Sequence, residues 1–191
     1  MLGVDECYSE IYDQTPPTGI LEICAEEGGA LDHVLAFHSL SKCSSAAGLR
    51  SGFCVGETSL IQTFLNLRSF SGAASPLPVC AAAAALWNDD AHVEENRALY
   101  RAKFDMAEEI FGTNFGFYRP EGGFFLWLDV GDGVKAAKRL WTGAAIRVLP
   151  GRYLSVAGAD GINPGDPYIR VALVAEPENS KEALSRLANS L

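Results

Sequence analysis

Residues 36–53 read AFHSLSKCSSAAGLRSGF, which sets one amine, Lys42, among the hydroxyls of Ser39, Ser41, Ser44 and Ser45, with Arg50 eight positions on. A lysine at its ordinary pKa of about 10.4 is protonated at neutral pH and is a poor nucleophile. Burial or neighbouring positive charge turns it into a reagent. Hydroxyls and a guanidinium around a tight glycine turn suit a phosphate. An amine beside such a phosphate site suits a carbonyl compound that carries one. Taken alone, a lysine that follows serines is an ordinary solvated charge, so the reading needs further residues.

Pyridoxal phosphate is the leading candidate, because a lysine Schiff base is its usual attachment. Its pyridine nitrogen then needs a carboxylate that keeps the ring protonated as an electron sink. The segment VDECY places Asp5 at the end of an expected strand, with Tyr8 three residues later. Asp5 is suited to the ring nitrogen and Tyr8 to the phenolic oxygen. An acid at a strand end is by itself a common loop or cap residue, and His38 in AFHSLSK reads as a satisfied near-core histidine. Asp5, Tyr8, Lys42 and Arg50 in this order, on strand ends, make a stronger case together.

The elements that must position these residues are legible from periodicity. LGVDECY reads as a buried strand meeting a loop, VLAFHS as a second strand and SGFCVG as a third bounded by glycines. DQTPPTG is turn chemistry. From Glu57 to Arg68, Leu60, Ile61, Phe64 and Leu65 fall at helical spacing. SFSGAASPLP reads as a loop, and VCAAAAALW, apolar all round, as a buried helix. A long amphipathic helix follows over about 91–111. Asp89 or Asp90 is its N-cap, Gly112 its stop, and Val93, Tyr100, Phe104, Ala107 and Phe111 line one face. GGFFLWLDV, IRVLPG and YIRVALV read as strands, DGVKAAKRLW and PENSKEALSRLANSL as helices, the last capped by Asn179 with Glu182 three positions on. The chain is thus an α/β protein, with parallel-sheet texture in its first part and a small α+β unit in its second.

Of the 191 residues 48% are hydrophobic and 20% charged, enough apolar material for a substantial core. The formal charge of -9 disfavours a nucleic-acid partner. No stretch reaches the roughly 18 apolar residues that span a bilayer, and MLGVDECYSE lacks the basic segment of a signal peptide. Cys7, Cys24, Cys43, Cys54 and Cys80 are odd in number and form no CxxC or Cys/His cluster. That argues against a disulfide framework or a metal site, and for reduced thiols in a cytoplasm.

DECYSEIY, HSLSK, AGLRSGF and YIRVALV closely resemble the fold type I, pyridoxal-phosphate-dependent class I/II aminotransferases. WNDDAHVEENRALYRAKF and VLPGRYLSVAGADGINPGDPYIRVALV bring the resemblance nearest to the succinyldiaminopimelate aminotransferases of bacterial lysine biosynthesis. The likeness runs over essentially the whole chain. It implies that Lys42 forms the cofactor Schiff base and later moves a proton, that Asp5 pairs the pyridinium nitrogen, and that Tyr8 bonds the phenolic oxygen. It further implies that Ser39, Ser41 and Arg50 hold the phosphate and that Arg170 clamps the substrate α-carboxylate, a task suited to a guanidinium fork. Cys43 and Ala47 depart from the family pattern, which bears on the substrate and not on the cofactor.

The implied reaction is transamination between N-succinyl-diaminopimelate and 2-oxoglutarate. Another dicarboxylic or aromatic amino acid is the alternative, and a non-catalytic fragment is the second. Family members run to roughly twice this length, so the resemblance is to their C-terminal half: residues 1–90 as part of the cofactor-binding large domain, 91–111 as a connecting helix, 112–191 as a small α+β domain. The N-terminal half of such proteins carries the opposite wall of the site. The expected partners are amino-acid and 2-oxo-acid substrates and, in the full-length family, a second copy. Sheet edges and apolar faces are expected to be exposed here.

Overall fold

A computed structural model of the chain describes residues 1–72 and 74–191. The chain divides into two compact units, Met1–Ala98 and Leu99–Leu191.

In the first unit, β1 (Leu2–Asp5), β2 (Val34–Ser39) and β3 (Gly52–Gly56) form one sheet in the order β1-β2-β3. β1 and β2 are parallel, and α1 (Ile20–Glu26) lies in the crossover between them. β3 returns antiparallel to β2, so the expected parallel texture holds for one pair only. The physical reason is the connection. Residues 40–51 hold the short helix α2 (Leu40–Cys43), one 3-10 turn (Ala47–Leu49) and tight loops, too little for a parallel crossover. Glycines bound β3 because β2 approaches closely. At Gly56, with φ 159, an added Cβ would collide with the Val34 carbonyl.

α3 (Thr58–Ser71) and α4 (Leu77–Trp87) complete this unit, together with the start of α5 (Ala91–Phe111). The loop expected over SFSGAASPLP is shorter than its composition suggests. Residues 69–71 continue α3, α4 begins at Leu77, and Ala73 lies outside the described residues. α4 is apolar all round, as read, yet only Ala83 is buried, against Leu40 and Cys43 of α2, while Leu77 is 84% exposed. β1 is likewise an exposed edge strand, not a buried one, because it pairs with β2 alone. Burial in the sheet concentrates on Val34, Leu35 and Ala36 of the central strand. α1 buries no residue, although Ile20, Ile23 and Cys24 fall at helical spacing. Its first amide is capped from a distance by Glu6 Oε1, 2.7 Å from the Ile20 nitrogen.

The second unit takes the rest of α5, which ends at Gly112 with φ 54, the left-handed stop that the glycine predicts. β4 (Phe125–Asp129), β5 (Leu149–Pro150) and β6 (Tyr168–Ala172) pair antiparallel in the order β4-β6-β5. Leu126 pairs with Val171 and Leu128 with Ile169, and these alternate residues are buried. α6 (Gly133–Ala144) is capped by Asp132, which accepts from the Lys135 amide at 2.9 Å, and α7 (Pro177–Ser190) closes the chain. Phe104, Ala107 and Phe111 of α5 join Leu140, Leu184 and Leu187 in one core.

Two expectations are corrected here. IRVLPG shrinks to a two-residue strand, because Pro150 has no N–H with which to extend the ladder. Asn179 is not the cap of α7. Pro177 takes the first helical position after Glu176, which its fixed φ favours, and Asn179 falls inside the first turn. Among the described residues no helix is long and apolar enough to cross a membrane.

Candidate active site

Parallel pairing brings the C-terminal ends of β1 and β2 to the same sheet edge, where loops of an α/β sheet gather functional groups. Asp5 stands opposite Phe37, and the ladder extends one step further through the Glu6 amide, 2.9 Å from Phe37 O. The Asp5 carboxylate accepts the Cys7 amide at 3.0 Å. Hydrogen bonds from Cys7 hold Asp5 below the usual carboxylate range, so it is firmly anionic at neutral pH. Burial, followed by the neighbouring Asp5, pushes the Cys7 thiol up to about 11, so Cys7 stays protonated. The chain then turns, with Ile11 N donating to Tyr8 O at 3.0 Å, and brings the Tyr8 ring to 5.8 Å from Lys42 Nζ.

Lys42 sits on α2, a single turn begun by Ser39. Extended backbone at Ser39 (φ -147, ψ 141) lets its hydroxyl accept the Ser41 amide at 3.2 Å, 2.9 Å from Ser41 Oγ. Leu40 and Cys43 anchor the turn in the interior, and Lys42 is half-buried on another side. The chain then folds back on itself. Arg50 adopts left-handed backbone with φ 50, and its guanidinium donates to Ala47 O at 2.9 Å while remaining exposed.

Beside this edge, His38 is paired with Glu6 at 3.0 Å and stacked on Phe53 with ring centroids 4.8 Å apart. Trp87 meets Phe53 edge-on at 5.0 Å. These side chains, with Cys7, Ser39 and Cys43, line a cavity of about 390 Å³. His38 is therefore a satisfied histidine, as the sequence suggested.

Asp5, Tyr8, Ser39, Ser41 and Lys42 thus share one sheet edge, and Arg50 closes the loop that follows. Arg170 belongs to the second unit, on β6. It faces Trp127 and Leu149 across the ladder, and its guanidinium lies 4.2 Å from the Phe125 ring centre. An anionic carboxylate, a phenol, hydroxyls, a guanidinium and a primary amine form a donor set that fits a phosphorylated aromatic aldehyde. Sequence reasoning missed the residues that hold this set in place. Asn96 and Arg97, on the first turns of α5, reach the Lys42 turn and the loop after Tyr8 respectively. In the sequence they are polar positions on an amphipathic helix, with no signal that separates them from solvated ones.

The profile of the family described as "Aminotransferase class I and II" matches residues 1–187. The 4-dedimethylamino-4-oxo-anhydrotetracycline transaminase OxyQ of Streptomyces rimosus is 37% identical over 186 residues, covering 96% of this chain and 49% of that protein. The LL-diaminopimelate aminotransferase of Nitratidesulfovibrio vulgaris is 30% identical over 194 residues, covering 99% of this chain and 48% of its own. An aminotransferase structure from Neisseria meningitidis superposes with a TM-score of 0.91 at 42% identity, over 98% of this chain and 48% of that one. A probable N-succinyldiaminopimelate aminotransferase from Thermus thermophilus shares the fold, with a TM-score of 0.82 at 23% identity over 99% of this chain and 49% of that one. The chain spans about half the length of the curated relatives it matches.

Proposed function

Because this chain belongs to the class I and II aminotransferase family, we propose that it carries the cofactor-anchoring part of a pyridoxal-phosphate-dependent aminotransferase. The observation that carries the reading is the shared edge of β1 and β2: Lys42 on the turn that follows one strand, the carboxylate Asp5 at the end of its neighbour, and the Tyr8 ring 5.8 Å from the amine. Pyridoxal phosphate, once bound, supplies an aldehyde that condenses with amines and a ring that withdraws electrons from the bond to be broken.

The chain's own residues do the rest. Lys42 supplies the anchoring amine and, when released, the base that moves a proton at Nζ. Asp5, held anionic by Cys7, would pair a protonated ring nitrogen. Tyr8 would bond the phenolic oxygen, and Ser39, Ser41 and Arg50 the phosphate. Arg170 would clamp a substrate carboxylate through its planar fork. In this reading residues 1–90 are part of the large cofactor domain, 91–111 the connecting helix and 112–191 the small domain.

The substrates are an amino acid and a 2-oxo acid, and diaminopimelate or its N-succinyl derivative is the amino-acid class we favour. Relatives named LL-diaminopimelate aminotransferase at 30% identity support the class, while the structure named for the N-succinyl substrate, at 23% identity, shares the fold alone. In the whole protein we place a cytoplasmic homodimer. Free cysteines support the compartment, and the exposed Leu67, Phe70 and Leu77 support the association.

The test is a donor–acceptor panel with added pyridoxal phosphate, read by mass spectrometry of the amino-acid and 2-oxo-acid products. Glutamate formed from 2-oxoglutarate and diaminopimelate-type donors is expected, and none with Lys42→Ala. A second reading, a chain that binds cofactor without turnover, is favoured by its half-length coverage. Cofactor bound at Lys42 with no product from any donor would establish it.

A further inference from the structure

We infer that Asn96 is a positioning residue for Lys42: its side-chain amide fixes the backbone turn that carries the cofactor-anchoring lysine. The inference rests on the cofactor reading of Lys42 above. α2 is only four residues long, and the last carbonyls of any helix have no partner within it. Here they find one far away in sequence. Asn96 Nδ2 donates to Lys42 O at 3.0 Å and to Cys43 O at 3.1 Å. Ser45 Oγ donates in turn to Asn96 Oδ1 at 3.2 Å. Every polar atom of the Asn96 side chain is therefore committed to residues 42–45, and the serine sets which way the amide faces.

A second strap runs beside it. His92 Nε2 lies 2.8 Å from Ser44 Oγ, and its Nδ1 lies 3.2 Å from Asp89 Oδ2. Asp89 is itself tied to the start of α5, accepting the Ala91 amide at 3.0 Å. The turn holding Lys42 is thus bolted at Ser44 and at two carbonyls to a long helix. Asparagine is a poor occupant of a helix interior, and its half-buried place on α5 is explained by this reach to the lysine turn. The consequence is geometric. A lysine tip follows its backbone, and misplacement of a reacting group by about 1 Å can cost about a hundredfold in rate.

The experiment uses two readouts on the 191-residue chain. In the first, the chain is incubated with pyridoxal phosphate, reduced with borohydride and digested, and the label is quantified at Lys42 and at Lys103, Lys135, Lys138 and Lys181. In the second, which needs no cofactor, iodoacetamide modification is followed at buried Cys43, with exposed Cys80 as the control. Asn96→Leu keeps the side chain's bulk and removes its donors. We expect Lys42 labelling to slow by about tenfold relative to the other lysines, and Cys43 to alkylate correspondingly faster while Cys80 does not change. Ser45→Ala removes only an exposed hydroxyl, and should show the same two changes at smaller size. Unchanged Lys42 labelling and unchanged Cys43 reactivity in both variants would overturn the role of Asn96 and leave the cofactor reading standing. A wild-type chain labelled at other lysines but not at Lys42 would overturn the cofactor reading itself, whatever Cys43 does.

Discussion

Arg97→Met tests how the loop after Tyr8 is held. Arg97 is buried on α5, where Nε donates to Glu10 O at 3.0 Å and Nη1 to Tyr12 OH at 2.7 Å. Its guanidinium also meets the carboxylates of Glu10 at 3.2 Å and Glu94 at 2.6 Å, and stacks 3.9 Å from the Tyr12 ring centre. A hydrogen bond to a charged group contributes about 1.5–3 kcal/mol. The two carboxylates are 53% and 57% exposed, so each ion pair adds at most about 1 kcal/mol. Methionine keeps the packing on Tyr12 and loses the rest. Bonds within one network do not add fully, so the net loss is about 3 kcal/mol, or about a hundredfold in the opening equilibrium. Native-state hydrogen exchange reads this directly at the Ile11 amide, which is bonded to Tyr8 O at 3.0 Å in a residue 2% exposed. We expect exchange there to quicken about a hundredfold while the β4 amides of Leu126 and Leu128 keep their rates. Acceleration below about threefold, or equal acceleration in β4, would refute a local clamp.

Two further outcomes follow from the second unit. Lys103 is buried with Nζ 3.0 Å from Leu173 O, and burial lowers its pKa against the opposing pull of Glu176. The unfolded chain therefore binds more protons between the lowered folded value and the ordinary value of 10.5, and stability should rise with pH across that window. Urea midpoints from pH 8 to about 10.5 should show the rise, and Lys103→Met should flatten it; a slope unchanged by the substitution would count against this lysine. Gly133 opens α6 where an added Cβ would strike the Tyr168 carbonyl, backbone that cannot swing aside. Gly133→Ala should cost more than about 3 kcal/mol by thermal unfolding, against a fraction of that for Gly143→Ala, which meets open space within α6.

What was legible in the sequence was whatever a local pattern can carry. α5 begins and ends where Asp89, Asp90 and Gly112 place it, and VLAFHS is β2 residue for residue. Asp5 at the end of β1 was legible because a strand end is local chemistry, whereas the Ser39-capped turn α2 that carries Lys42 does not read as a helix in the sequence, its four residues being too few to show a period. Long-range partners were not legible either. α1 is capped by Glu6, 14 residues earlier, and is only seven residues long with none buried. Composition alone sent α4 to the interior, but an apolar helix is buried only where something covers it, and α2 covers one face. Asn96 and Arg97 reach across 53 and 87 residues to their carbonyl partners, distances at which neither spacing nor residue type carries information.

The left-handed backbone at Arg50 has a consequence for how this position can vary. Glycine is the comfortable occupant of φ 50, and a branched or long side chain there costs about 1 kcal/mol or more. In the proposed reading the Arg50 guanidinium holds the phosphate, so the local backbone cost and the functional gain fall on the same residue. Arg50→Gly should thus yield a chain at least as stable as the original but poorer at holding an anion. Saturation mutagenesis at Arg50, scored separately for folding and for cofactor capture, separates the two: the proposed role requires that glycine be tolerated in the first score and not in the second.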